Sequence, residues 1–266
     1  MSINIISLKL GAIGALGLVA ALLSPLAHAA EHDVQALLKA ADRYRTGGEA
    51  LQVETQVQTV KSDGSADKER RYTVFVQPGH QSLVLMRSPA EAGQKVLMLG
   101  DDFWLLMPGS QRPVRITPAQ KLLGDASTGD IATLAWAEDY AGSVVGEEPC
   151  ANGVTPAPAG GPVTCLHLSL QARRKGLSYQ RIELWIGRQR HEPVRAELYV
   201  QSDKLAKLAR FTMDQPATPT LVAEMRLTDQ LSSHKATQVR YLQRQARKVP
   251  ENWLNPMFLA RNPQLD

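Results

Sequence analysis

Residues 96–116 read VLMLGDDFWLLMPGSQRPVRI. Two apolar runs, Val96 to Leu99 and Phe103 to Met107, flank an acidic turn at Gly100, Asp101 and Asp102, and Pro108, Gly109, Arg112 and Arg115 follow. Successive side chains of a strand point to opposite faces, so a run that is apolar at every position is apolar on both. Either protein covers both faces, or one face is kept apolar for a ligand. The pattern predicts a hairpin across Gly100 to Asp102 with one face packed as core and the other lining a cavity.

The same two-residue period extends in both directions from this hairpin. Upstream, ALQVETQVQTV (50–60), the turn SDGS and KERRYTVFVQP (68–78) read as a long β-hairpin, and residues 81–87 as a further strand. Residues 113–116 form the next strand, and strands resume at about 143–147, 164–170, 180–186, 193–201, 205–212, 221–228 and 236–244. Two segments break the period. In DVQALLKAADRYRT (33–46), Val34, Leu37, Leu38, Ala41 and Tyr44 recur at helical spacing, and Gly47 and Gly48 stop the helix. In TPAQKLLGDASTGDIATLAWAEDY (117–140), Thr117 is expected to cap a helical turn that begins at Pro118 and ends at Gly124. A second helix is expected from Thr128 or Asp130 through Trp136. Pro250, Trp253 and Pro256 mark an irregular or helical tail. An antiparallel meander of about a dozen strands tends to curl. The expected fold is therefore mainly β with helices: a curved antiparallel sheet, or incomplete barrel, wrapped around the helices.

The chain opens with Lys9, an uncharged run from Leu10 to Leu23 and a small-residue site at Ala27, His28 and Ala29. This is the pattern of a secretory signal peptide over residues 1–29, and its apolar run is shorter than the ~20 residues of a membrane span. A single mature domain is expected over residues 30–266, with no transmembrane segment. Thirty Lys and Arg against 26 Asp and Glu give a formal charge of +4, too small to point to nucleic acid. Cys150 and Cys165 are the only cysteines, and an even count in an exported chain favours a disulfide. It would pin the Pro- and Gly-rich loop between them, worth about 3 kcal/mol in a chain-entropy picture.

No catalytic or metal-binding constellation stands out. His32, His80, His167, His191 and His234 lack HxH or HExxH spacing, and PGSQR lacks the second glycine of a nucleophile elbow. Asp101 and Asp102 read as turn formers, and Asp125 and Asp130 as helix-capping residues. Neither enzyme chemistry nor a cofactor is expected. What remains is a set of large apolar residues: Phe75, Leu85, Met98, Trp104, Leu106, Trp185, Tyr199 and Met213 on strands, with Trp136 and Tyr140 on the insertion. These are the candidate lining of a hydrophobic cavity for a lipid chain. The segment QARRKGLSYQRIELWIGRQRHEPVR carries seven Lys and Arg against Glu183 and Glu192, which reads as solvated strand faces or as a patch for an acidic partner or anionic lipid headgroups.

The segment DDFWLLMPGSQRPVRITPAQKLLGDASTGDIATLAW resembles the hallmark of outer-membrane lipoprotein-sorting proteins, the LolA/LolB-like carriers. The likeness falls on Asp102, Trp104, Pro108, Arg112, Arg115, Ile116, Leu123, Gly124, Ser127, Gly129 and Asp130. It implies an open barrel of about eleven antiparallel strands lidded by helices, with a cavity for acyl chains. It further implies a monomeric carrier in the periplasm of a Gram-negative bacterium, holding a lipid or a lipoprotein acyl chain. An inner-membrane transporter such as an RND-type exporter, or an outer-membrane receptor, would be its partner. A lipid-sensing protein that binds an envelope-stress regulator is the alternative.

Overall fold

Both faces of the opening stretch are covered by protein. Val96, Met98 and Phe103 point into the main core, whereas Leu97 and Leu106, with the half-buried Trp104, point to a second core on the opposite side. The computed structural model describes residues 33–46, 50–61, 63–132, 135–150, 163–231 and 236–265. The expected signal peptide, residues 1–29, lies outside the described residues.

One helix, α1 (Val34–Thr46), precedes six strands: β1 (Leu51–Val60), β2 (Ala66–Gln77), β3 (Gln81–Met86), β4 (Lys95–Leu99), β5 (Asp102–Leu106) and β6 (Val114–Ile116). A small hairpin of β7 (Lys121–Leu123) and β8 (Ala126–Ser127) leads into α2 (Thr128–Ala132) and α3 (Trp136–Asp139). Seven strands follow: β9 (Tyr140–Pro149), β10 (Thr164–Ala172), β11 (Arg181–Gly187), β12 (Pro193–Tyr199), β13 (Leu205–Met213), β14 (Val222–Asp229) and β15 (Ala236–Ala246). The tail holds a 3-10 turn over Glu251–Leu254 and α4 (Pro256–Ala260), whose Asn255 side chain accepts from the amides of Met257 and Phe258.

Thirteen strands form one antiparallel sheet in the order β6-β5-β4-β3-β2-β1-β15-β14-β13-β12-β11-β10-β9. The meander is joined in its middle, where β1 pairs with β15 from Leu51 opposite Ala246 to Val60 opposite Ala236. Its ends, β6 and β9, do not pair with each other, so the sheet is not closed. It curls nonetheless: Arg174, beyond β10, donates to the Gly100 carbonyl at 3.2 Å and pairs with Asp101 in the β4–β5 turn, far along the strand order. A single apolar cluster runs through the concave side, from Val53 on β1 to Val84, Leu168, Leu184, Met225 and Val239, and takes in Leu37, Leu38 and Ala41 of α1.

The convex side of β2–β5 is covered by the C-terminal tail. Phe75, Leu83, Leu85, Leu97 and Leu106 pack under Val249, Trp253 and Leu259, and the Phe75 and Trp253 rings meet edge to face at 5.5 Å. Each such side chain contributes about 1.5–3 kcal/mol on burial. The hairpin is apolar on both faces because helices cover one and the tail covers the other.

Two expectations for the insertion are corrected. Residues 118–124 form no helical turn: they lead into the β7–β8 hairpin, where Gly124 takes φ +57° and the Asp125 amide donates to Thr237 Oγ1 at 2.9 Å. A Cβ at Gly124 would lie 2.5 Å from side-chain atoms of Thr59 and Thr237, so β1 and β15 leave room only for glycine. Instead of one helix ending at Trp136, two short helices occur and the second begins there. Among the described residues the strand count also exceeds the expected eleven to twelve, with thirteen in the main sheet and two in the small hairpin. Cys150 and Cys165 are disulfide-bonded, joining the ends of β9 and β10.

Candidate functional site

The concave side owes its shape to polar ties that hold α1, α2 and α3 against the sheet. Asp42 on α1 accepts from the Trp136 amide at 2.9 Å and the Ala137 amide at 2.8 Å, so it caps α3 from a different helix. Burial raises its carboxyl from the ordinary 3.8 to about 6, against the opposing pull of Arg45 and the two amides. Arg45 stacks over the Trp136 ring at 3.8 Å, and Trp136 meets Phe211 of β13 edge to face at 5.6 Å. Gln35 donates to the Tyr140 carbonyl at 3.0 Å, which ties α1 to the start of β9.

Asp130 holds α2. One oxygen accepts from Tyr179 Oη at 2.7 Å, and the other from the Ser127 amide at 2.7 Å, Ser127 Oγ at 2.7 Å and Lys207 Nζ at 2.6 Å. Burial works to raise this carboxyl, but Lys207 and the hydrogen bonds outweigh it and hold it below the usual range. Burial, followed by the neighbouring Asp130 charge, pushes the Tyr179 phenol well up. Tyr140, also raised by burial, donates to the Tyr179 carbonyl at 3.0 Å.

These ties leave two openings of different kinds. A small, partly open pocket of about 50 Å³ is lined by Trp136, Tyr140, Tyr179, Phe211 and Met225 among others, which is room for a water or two. A half-open cleft of about 510 Å³ lies between α1, the β2–β3 turn and the α2–α3 segment. Its floor is apolar, with Val76, Met98, Ala132, Ala135 and Ala137, and its walls are polar, with Lys39, Arg43, His80, Glu138 and Asp139. That volume falls within the range of small-molecule sites. At one end His80, in left-handed backbone at φ 56°, places Nδ1 at 3.2 Å from Asp139, whose same oxygen accepts from Arg174 Nε at 2.9 Å. Among the described residues, no group of His, Cys, Asp and Glu is arranged to hold a metal ion, and no helix is long and apolar enough to cross a membrane.

A family model described as "Uncharacterized protein" matches residues 79–261, well over half of the chain. Among solved structures, the chain is similar to a LolA superfamily protein from Nitrosomonas europaea, with 26% identity, a TM-score of 0.71 and coverage of 83% of this chain and 96% of that one. The chain has the fold of the LolA superfamily. An outer-membrane lipoprotein-sorting domain from Vibrio parahaemolyticus shares the fold at 17% identity and TM-score 0.61, covering 84% of this chain and 98% of that one. A DUF1329 family protein from Desulfovibrio piger does so at 20% identity and TM-score 0.61, covering 83% and 95%. No curated protein matches the sequence.

Within this LolA-like frame the ten candidate lining residues separate by strand face. Met98 lines the cleft, and Trp136 and Tyr140 line the small pocket. Phe75, Leu85 and Leu106 lie on the convex side under the tail, with Trp104 against the same cluster and Arg115 over its ring at 4.8 Å. Trp185 packs beside the disulfide between the His167 ring and the Arg195 guanidinium. Tyr199 carries Arg181 over its ring at 3.5 Å, and Met213 is half-buried at the end of β13. The sequence reading missed Val76, Ala132, Ala135 and Ala137 on the cleft floor, and Lys39 and Arg43 at its wall. Strand parity could have found Val76, since it follows Tyr72 and Val74 on the same face of β2. The alanines are too small to stand out in a search for bulky apolar residues.

Proposed function

We propose that this LolA-like protein is a periplasmic carrier that binds a lipid or the acyl chains of a lipoprotein and takes part in lipid or lipoprotein sorting to the outer membrane. The observation that carries the reading is the cleft of about 510 Å³, which opens on the concave side of a LolA-like sheet and has Val76, Met98 and Ala132 on its floor. Burying an acyl chain gains about 0.8 kcal/mol per CH₂, so such a floor holds a chain while the open wall lets it leave for a receptor. In this reading the acyl chain starts in the cleft and extends toward Trp136 and Tyr140, with α2 and α3 shifting as a lid because the pocket of about 50 Å³ there is too small for it. Residues 1–29 direct export, residues 30–266 act as one domain, and the role is non-enzymatic and needs no cofactor. Donor and acceptor are membrane proteins of the two envelope membranes, an RND-type exporter among them.

The test is binding of dansylaminoundecanoic acid to the purified protein, together with native mass spectrometry of protein isolated from the periplasm. Wild type should bind the probe with an emission blue shift and carry co-purified lipid. Ala135→Trp, which fills part of the cleft from a partly exposed position, should weaken the probe at least about tenfold, the loss of roughly 1.4 kcal/mol. A chain that binds no probe and carries no lipid would end the carrier reading.

A further inference from the structure

The charges around the cleft are not equally available. Three carboxylates line it, Asp42, Glu138 and Asp139, against the cations Lys39 and Arg43 and the imidazole of His80, so a formal count does not favour an anion. The pairing does. Asp42 is used by the amides of Trp136 and Ala137 and by Arg45 at 3.7 Å. Asp139 is used by Arg174 and His80, and Glu138 lies 3.6 Å from His80 Nδ1. Lys39 and Arg43 are exposed and make no ion pair or side-chain hydrogen bond with the described residues.

Their spacing sharpens the point. Residues four apart on a helix are surface neighbours, and like charges there repel and cost helix stability. An anion between the two relieves that repulsion, and both side chains can reach one head group. A carboxylate or phosphate would gain charge-assisted hydrogen bonds from both, while a neutral acylated end would leave both cations unused.

We propose that the cleft selects amphiphiles with an anionic head group, holding the carboxylate or phosphate between Lys39 and Arg43 with the tail on Val76, Met98, Ala132 and Ala135. This rests on the carrier reading and narrows it, because it disfavours a neutral, fully acylated lipoprotein end as the primary ligand.

The experiment compares dansylaminoundecanoic acid with its methyl ester on the full mature chain, wild type and Lys39→Gln/Arg43→Gln. Both positions are solvent-exposed, and circular dichroism and the unfolding midpoint confirm that the variant is folded. Wild type should bind the acid about fivefold or more tighter than the ester, a gain in the range of exposed charge contacts that shrinks as salt rises. The double variant should lose that preference while its affinity for the ester is unchanged. In competition against the bound acid, lysophosphatidylglycerol and dodecanoic acid should displace it and monododecanoylglycerol should not, and the ratio of the first two tells phosphate from carboxylate. Equal binding of acid and ester by wild type, or a preference that survives in the double variant, overturns the head-group proposal and leaves the carrier reading standing. Failure of both probes overturns both.

Discussion

Asp42 spends its carboxylate on the N-terminus of α3, and burial sets how that contact responds to acid. Its folded-state pKa of about 6 lies above the ordinary 3.8, so the folded chain binds this proton more readily than the unfolded chain between those values. The sign follows: stability gained from this group rises as pH falls from about 6 to about 4, by up to about 2–3 kcal/mol for a shift of roughly two units. Asp130 and Asp214, both lowered, contribute the opposite trend, which sets in below their ordinary range near pH 4. From about pH 4 to 6 the Asp42 trend is therefore unopposed by those two carboxylates. Urea unfolding of wild type across it should show the midpoint increasing toward acid relative to Asp42→Asn, whose profile should be flatter. A parallel pair of profiles would contradict the assignment. None of this was legible in the sequence, where Asp42 is one polar residue on an amphipathic helix and its partners lie 94 and 95 residues away.

At the scale of elements, alternation and turn chemistry predicted the strands of the meander with ends correct to a few residues, because each strand's pattern is local. The short insertion was misread because its structure is fixed from outside. Gly124 and Asp125 turn against Thr237, and α3 begins where Asp42 caps it. Bulky side chains were poor guides to the cleft lining for a related reason. A run such as Phe103 to Met107 supplies two faces, and only the tail's position shows that Trp104 and Leu106 belong to the convex one. The tie between α2 and β13 makes a firm prediction. Lys207→Met leaves Asp130 buried without its cation and should cost about 3–5 kcal/mol in urea unfolding. Adding Asp130→Asn removes the orphaned charge, so the double variant should be more stable than Lys207→Met alone. Losses that simply add would mean that the pair does not hold α2 to the sheet.

For the whole molecule, the decisive feature is that the first strand pairs with the last. Strands β1–β6 and β9–β15 would otherwise be two consecutive meanders, each able to fold beside the other. The β1–β15 ladder makes them one sheet, and one apolar cluster draws on strands of both halves and on α1, α2 and α3. Val57 and Val239 face each other in that ladder and are fully buried. Neither half can then lose its packing without exposing the other's, so unfolding should be a single cooperative transition despite the chain's size. The tryptophans allow a direct check: Trp104 and Trp253 report on the first half and the tail, and Trp185 on the second half. Single-tryptophan versions of the protein, followed by fluorescence in urea, should give coincident midpoints that also match far-ultraviolet circular dichroism. Val239→Ala should lower all of them together, by about 1–3 kcal/mol, because it removes core volume where the halves meet. Two separated transitions, with only the Trp185 signal displaced by Val239→Ala, would show instead that the β1–β15 seam joins two independent units.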